Sequence, residues 1–157
     1  MNPELTFADL GVRPSLVRAL SDGGITNPFP IQVSTLPDTL AGRDVLGRGK
    51  TGSGKTLAFS IPLISRLADS TRRSSRPSGL VLAPTRELAT QITATLQPLA
   101  EAAGLRVTTI FGGVPQNKQV KALQAGVDIV VACPGRLEDL MRQRLITLDA
   151  VEITVID

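Results

Sequence analysis

Short apolar runs and longer amphipathic stretches alternate along this chain. Leu16, Val17 and Leu20 fall on one helical face, with Pro14 near the start and Gly23-Gly24 at the end. Gly24-Ile25-Thr26-Asn27-Pro28-Phe29-Pro30-Ile31-Gln32 follows, its two prolines fixing a bent, extended path. From Gln32, the positions Val33, Leu36 and Leu40 predict a second helix interrupted near its middle by Pro37. Asp44-Val45-Leu46 reads as a short strand launched from the turn Gly42-Arg43, and Leu57, Ile61, Ile64 and Leu67 then recur at helical spacing. Four more strands are predicted, at residues 79–83, 106–110, 128–132 and 152–157. Helices are predicted between them, over residues 86–103, 116–124 and from Pro134-Gly135 through about Arg142. Continuous Val/Ile/Leu runs separated by helices predict an α/β domain with a mostly parallel sheet covered on both faces. Residues 1–40 read as a leading segment and 41–157 as the α/β domain itself.

Two stretches stand outside this alternation. Asp69-Ser70-Thr71-Arg72-Arg73-Ser74-Ser75-Arg76-Pro77-Ser78 is polar, basic and turn-rich. It reads as a mobile surface loop, with a nucleic-acid-binding arm as the sharper alternative. Gly49-Lys50-Thr51-Gly52-Ser53-Gly54-Lys55-Thr56 reads G-x-x-x-x-G-K-T, the phosphate-cradling P-loop, placed between a predicted strand and a predicted helix. Glycines let backbone N–H groups turn onto an anion with no Cβ in the way, and a helix N-terminus favours bound phosphate. Lys55 would reach the β- and γ-phosphates as a point charge, and Thr56 would offer its hydroxyl to Mg²⁺. The plain alternative is a Gly-rich turn carrying a surface lysine.

A length of 157 residues suits one domain with a real core. No run approaches the ~18 apolar residues of a membrane span, and the first residues, Met-Asn-Pro-Glu-Leu-Thr, carry no signal-peptide pattern. One cysteine and no histidine make a protein-built zinc site implausible, and a lone thiol fits a reducing, cytoplasmic compartment. A net charge of +3 and a pI of about 9.6 are compatible with nucleic acid without demanding it. With no Trp or Tyr, a stacking platform for bases is not expected. Any nucleic acid should be held by its sugar-phosphate backbone.

In an open parallel sheet, ligands bind beyond the carboxyl ends of the strands. The residues there are the P-loop, Pro84-Thr85-Arg86-Glu87-Leu88-Ala89, Gly112-Gly113, Cys133-Pro134-Gly135-Arg136, and the final Asp157. On these the chain resembles the first RecA-like domain of the DEAD-box ATP-dependent RNA helicases. Pro84 to Ala89 is identical to motif Ia of that family. Gly112-Gly113 matches its glycine doublet, and Pro134-Gly135-Arg136 matches motif Ib after its first position. Val155-Ile156-Asp157 resembles the opening of the Val-Ile-Asp-Glu-Ala-Asp box. Phe7 and Gln32 match the Q motif, with Gly24, Pro28 and Ile31 in register between them. The resemblance covers essentially the whole chain.

That resemblance implies a RecA-like P-loop NTPase fold and a role for each matching position. Gln32 would hydrogen-bond the adenine edge of ATP, with a helix-capping or solvent-facing glutamine as the plain alternative. Phe7 would pack near the base-binding segment, a role compatible with the alternative of a core phenylalanine, and Ile25 would offer the base apolar contact only. Gly49, Lys50, Thr51, Gly52, Ser53, Gly54, Lys55 and Thr56 would bind the phosphates. Lys55 and Asp157 would be the catalytic pair, with Thr56 and Asp157 holding Mg²⁺. Pro84, Thr85, Arg86, Gly112, Gly113, Pro134, Gly135 and Arg136 would touch RNA without reading its sequence. For Arg86 or Arg136 the alternative is a structural salt bridge, for instance with Glu87 or Glu138. The chain departs from the family at several places. The P-loop begins Gly49-Lys50 in place of Ala-Gln, Ile25 stands where an aromatic often contacts adenine, Phe29-Pro30 replaces a common hydroxyl-bearing residue and its neighbour, and Cys133 replaces a threonine.

The resemblance also implies a second RecA-like domain in the parent protein, bringing arginines worth roughly 10³–10⁵ in rate. The parent is expected to couple ATP hydrolysis to local RNA duplex unwinding, and the chain alone to be nearly inactive. Two other functions stay open: an ATP-dependent RNA clamp without unwinding, and a different P-loop ATPase such as a DNA helicase. Oligomeric state is not legible.

Overall fold

In the computed structural model, residues 4–50, 52, 54–69 and 75–157 are described. Three helices come first: α1 (Pro14–Asp22), α2 (Pro30–Leu40) and α3 (Lys55–Ala68). Strand and helix then alternate through β1 (Gly79–Leu82), α4 (Arg86–Ala102), β2 (Val107–Ile110) and α5 (Asn117–Ala125). The alternation ends with β3 (Ile129–Ala132), α6 (Pro134–Arg142) and β4 (Ile153–Ile156). All pairings are parallel, and the four strands run in the order β2-β3-β1-β4.

The apolar runs fix this arrangement. Every residue of β3 is buried, which only a strand covered on both faces can achieve. Period-2 alternation splits the strand residues between two cores. Val81, Ile129 and Val131 face a core shared with α1, α3 and α4. Leu80, Val130 and Ala132 face the other, closed by Leu123 of α5 and Leu137 and Leu140 of α6. The two inner strands thus lie between helical layers, as the sequence pattern requires.

Residues 4–40 contribute to this core. Phe7, Leu16, Leu20 and Leu36 are buried in one cluster with Ile61, Ile64, Ile92 and Leu96. Burying a side chain of this size is worth about 1.5–3 kcal/mol, ample to hold α1 and α2 on the body of the domain. Arg13 adds a tie, donating from Nη2 to the Ser65 carbonyl at 3.0 Å and to the Asp69 carboxylate. The leading segment is therefore packed against the residues that follow, and the core does not divide at residue 40.

Two expectations are corrected. Asp44-Val45-Leu46 forms no strand. Val45 is 43% exposed and Leu46 fully exposed. A groove of about 530 Å³ lies between residues 43–47 and the outer edge of β4. Ladder bonds make a strand, and this apolar run has no neighbour to pair with among the described residues. Nor does Pro37 interrupt α2, which is continuous from Pro30 to Leu40. A proline inside a helix costs about 3 kcal/mol. Burial of Leu36 and packing of Val33 and Leu40 against the core offset that cost. Of the 69–78 loop, residues 70–74 lie outside the described residues.

Two substitutions test this packing. A Cβ at Gly79 would sit 2.7 Å from Leu67 Cδ1 and 3.1 Å from Leu63 Cδ1, so α3 lies flush on the start of β1. Gly79→Ala should destabilise the fold by about 1–3 kcal/mol in denaturant titration; an unchanged midpoint would contradict this contact. Cys133, the N-cap of α6, makes no side-chain cap bond. Cys133→Thr supplies a hydroxyl acceptor for the first-turn N–H groups and should stabilise by about 0.5–1 kcal/mol, read from the same titration.

Candidate functional site

Because the strands are parallel and their ends in register, their carboxyl tips form one level rim. Leu82 pairs with Ala132 and Ile156, and Ile110 pairs with Ala132. The ladder continues one residue further. Ala83 N–H donates to the Ala132 carbonyl at 2.9 Å, Cys133 N–H to Ile110 at 2.8 Å, and Asp157 N–H to Leu82 at 3.0 Å. Across the sheet the rim therefore runs from Phe111-Gly112-Gly113, through Pro134-Gly135-Arg136 and Pro84-Thr85-Arg86, to Asp157.

Next to Asp157 lies the N-terminus of α3. Gly54 caps that helix at φ +84°, a left-handed conformation suited to glycine. A Cβ there would lie 2.5 Å from Gln32 Nε2 and 2.6 Å from Phe29 Cδ2. Lys55 Nζ stands 3.5 Å from Asp157 Oδ1, and both line the groove beside β4 together with Arg43 and Arg66. Thr56 is half-buried in the same first turn, Gly49 is half-buried before it, and Lys50 and Gly52 are exposed. Thr51 and Ser53 lie outside the described residues.

Gln32 is 1% exposed. Its Oε1 accepts from Phe29 N–H at 2.9 Å, and its Nε2 donates to the Gly54 carbonyl at 3.0 Å. The amide thus ties the 29–32 turn to the last glycine of the P-loop. Phe7 and Ile25 both lean on the core. Phe7 is 2% exposed within the core, turned inward by Val12 N–H bonding to its carbonyl. Ile25 packs half-buried against the same core. Apolar side chains this close to the body gain more from the core than from the rim.

The other tips carry the candidate nucleic-acid residues. Thr85 is the N-cap of α4, its Oγ1 accepting from Leu88 N–H at 3.1 Å. Pro84, Thr85 and Arg86 are exposed, as are Gly112, Gly113, Pro134 and Gly135. Arg86 holds its guanidinium 4.7 Å over the centre of the Phe111 ring. Arg136 donates from Nη2 to the Val114 carbonyl at 2.8 Å and from Nη1 to Gln119 Oε1 at 3.3 Å. Neither arginine takes the acidic partner considered from the sequence; Glu138 pairs with Arg142 at 3.6 Å. Burial, aided by the charge of Glu87, pushes the Cys133 thiol above its ordinary value, so it stays protonated at neutral pH.

Phe111 and Gln119 were not singled out by sequence. Phe111 adjoins the glycine doublet, which marks its place but not its role. Gln119 sits in a polar helix where nothing distinguishes it from solvated neighbours. Among the described residues no group of three or more His, Cys, Asp or Glu could enclose a metal. One hydroxyl and one carboxylate at the P-loop instead suit a cation that keeps most of its ligands as water and phosphate, as Mg²⁺ does. No helix among the described residues is long and apolar enough to cross a membrane.

Known proteins share this architecture. A model of the DEAD/DEAH box helicase family matches residues 29–157. The ATP-dependent RNA helicase RhlB of Shigella dysenteriae serotype 1 is 46% identical over 158 residues, 98% of this chain and 38% of that protein. RhlB of Sodalis glossinidius is 44% identical over the same shares. The crystal structure of the RNA-helicase Prp28 from Chaetomium thermophilum bound to ADP matches with a TM-score of 0.90 and 36% identity, covering 100% of this chain and 39% of that one. The chain thus spans well under half the length of the curated relatives it matches. Its parallel sheet is the RecA-like α/β fold expected from the motifs at its strand tips, and the chain belongs to the DEAD/DEAH box helicase family.

Proposed function

We propose that this chain is the first RecA-like domain of a cytoplasmic ATP-dependent RNA helicase, and that its rim holds ATP with Mg²⁺ at one end and the RNA backbone along the rest. The observation that carries the reading is the facing of Lys55 and Asp157 at 3.5 Å, on the rim that also bears Arg86 and Arg136. The relatives' names and the ADP in the Prp28 structure support the ligand classes.

The chain's own residues divide the work by charge. Lys55 would neutralise the β- and γ-phosphates while the N-terminus of α3 receives their oxygens. A carboxylate beside a triphosphate is repelled unless a cation lies between them. Asp157, with the Thr56 hydroxyl, would therefore hold Mg²⁺, whose bound form supplies charge neutralisation for phosphoryl transfer. Gln32 gives one bond from each end of its amide to protein, which leaves a second Nε2 hydrogen and a second Oε1 lone pair that an adenine edge would use. The same amide would in that way link the base to Gly54. The remainder of the parent would supply a second RecA-like domain whose closure over this rim bends the RNA and opens a duplex.

Along the other tips, Arg86 and Arg136 together with the exposed N-termini of α4 and α6 would hold successive phosphates. Nothing here is shaped to read base edges, so affinity should depend on salt far more than on sequence.

Lys55→Ala should abolish nucleotide binding measured by calorimetry while leaving the circular dichroism spectrum unchanged; retained affinity would remove the P-loop assignment. Arg86→Ala should weaken RNA about tenfold, equally across sequences, and lower the slope of log affinity against log salt by about 1 in anisotropy titrations. Loss confined to one RNA sequence would contradict backbone recognition.

A further inference from the structure

We propose that Gln119 is a positioning residue that joins Arg136 and the glycine turn after β2 into one preset RNA-backbone cradle; this rests on the RNA reading above. Gln119 lies on α5, which is mostly polar and solvent-facing, yet it is 8% exposed. An amide buried without partners costs about 1–3 kcal/mol, so a residue with no task at this position would be expected to be apolar, like Leu123 one turn on. Both ends of the Gln119 amide are instead engaged. Nε2 donates to the Phe111 carbonyl at 2.9 Å, and Oε1 accepts from Arg136 Nη1 at 3.3 Å.

Those bonds close a circuit. Gln119 pins the turn at Phe111, and Arg136 pins its far end by donating to the Val114 carbonyl at 2.8 Å. Between the two pins lie Gly112 and Gly113, the latter at φ +80°, with no side chains of their own to hold a shape. The same Phe111 carries its ring beneath Arg86. Gln119 therefore touches Arg136 directly and supports the residue on which Arg86 rests. A guanidinium has five N–H donors, so the two bonds of Arg136 fix its plane and leave others for a phosphate. Only glutamine serves here: glutamate would set a negative charge against the Phe111 carbonyl and neutralise Arg136, and an apolar residue would hold neither.

Gln119→Met keeps the volume and removes both bonds. RNA affinity, read by anisotropy on several unrelated sequences, should fall about fivefold with nucleotide affinity unchanged. Placed on an Arg136→Ala background, the same substitution should cost clearly less than it does alone, because the part that acts through Arg136 is already gone and only the support of the turn and of Phe111 beneath Arg86 remains. RNA binding at the wild-type level in Gln119→Met, with Arg136→Ala weakened, would overturn the positioning role alone; so would losses that simply multiply. If Arg136→Ala itself binds RNA like the wild type, the RNA reading of that arginine and this inference fall together. A measurement on the unaltered protein needs no variant to fold: side-chain ¹⁵N spectra should show restricted rotation of the Arg136 guanidinium, and free rotation would refute the clamp.

Discussion

Parallel pairing in register, with Leu82 level with both Ala132 and Ile156, is the constraint on which the rest of this molecule depends. Parallel strands cannot be joined by hairpins, so each must be followed by a crossover that returns the chain to the other end of the sheet. The leading ends of α4 and α6 consequently stand beside the strand tips with their first N–H groups free of intrahelical partners. A sheet with four aligned tips thus presents anion-seeking groups along a single edge, before any particular side chain is considered. Burial of β1 and β3 between two cores holds that edge in place.

Strand order then divides the edge in two. β4 is outermost, so Asp157 borders the groove and the N-terminus of α3, while β1, β3 and β2 carry the arginines and glycines away from it. Asp157 adjoins the arginine-bearing tips through the β1–β4 ladder, whose last bond runs from Asp157 N–H to the Leu82 carbonyl. On the opposite side of the P-loop, Gln32 fastens Gly54 to the 29–32 turn.

Much of this was legible from residue order, for reasons that also explain what was not. Unbroken runs such as Ile129-Val130-Val131-Ala132 can be satisfied only between two helical layers, and the glycines and prolines after each run mark where the chain turns. Asp44-Val45-Leu46 carries a similar pattern and forms no strand, because pairing depends on a neighbour that local sequence does not specify. Pro37 misleads in the opposite sense: a local cost is outweighed by burial of Leu36, visible only once the helix has something to pack on. Phe7 matches a motif position yet lies in the core, since one aromatic ring can serve as a family marker and as packing. Gln119 was invisible because its sequence neighbours, Lys118 and Val120, say nothing about the carbonyl and the guanidinium that meet it from two other elements.

The partners of the arginines show how the rim keeps its charge. Away from it, Arg13, Arg43 and Arg142 are each set against a carboxylate, Asp69, Asp38 and Glu138. Such exposed pairs contribute about 0–1 kcal/mol apiece and cancel the field of both members. On the rim, Arg86 rests on an aromatic ring, and Arg136 is held by a backbone carbonyl and an amide oxygen. Neutral partners restrict a guanidinium without compensating its charge, so the positive potential stays directed outward while the entropy of placing the side chain is already spent. A phosphate approaching the β1–β3–β2 part of this edge would then meet two arginines, Arg86 and Arg136, that are fixed and unpaired with acids. That combination favours binding more than either a floppy lysine or a salt-bridged arginine would.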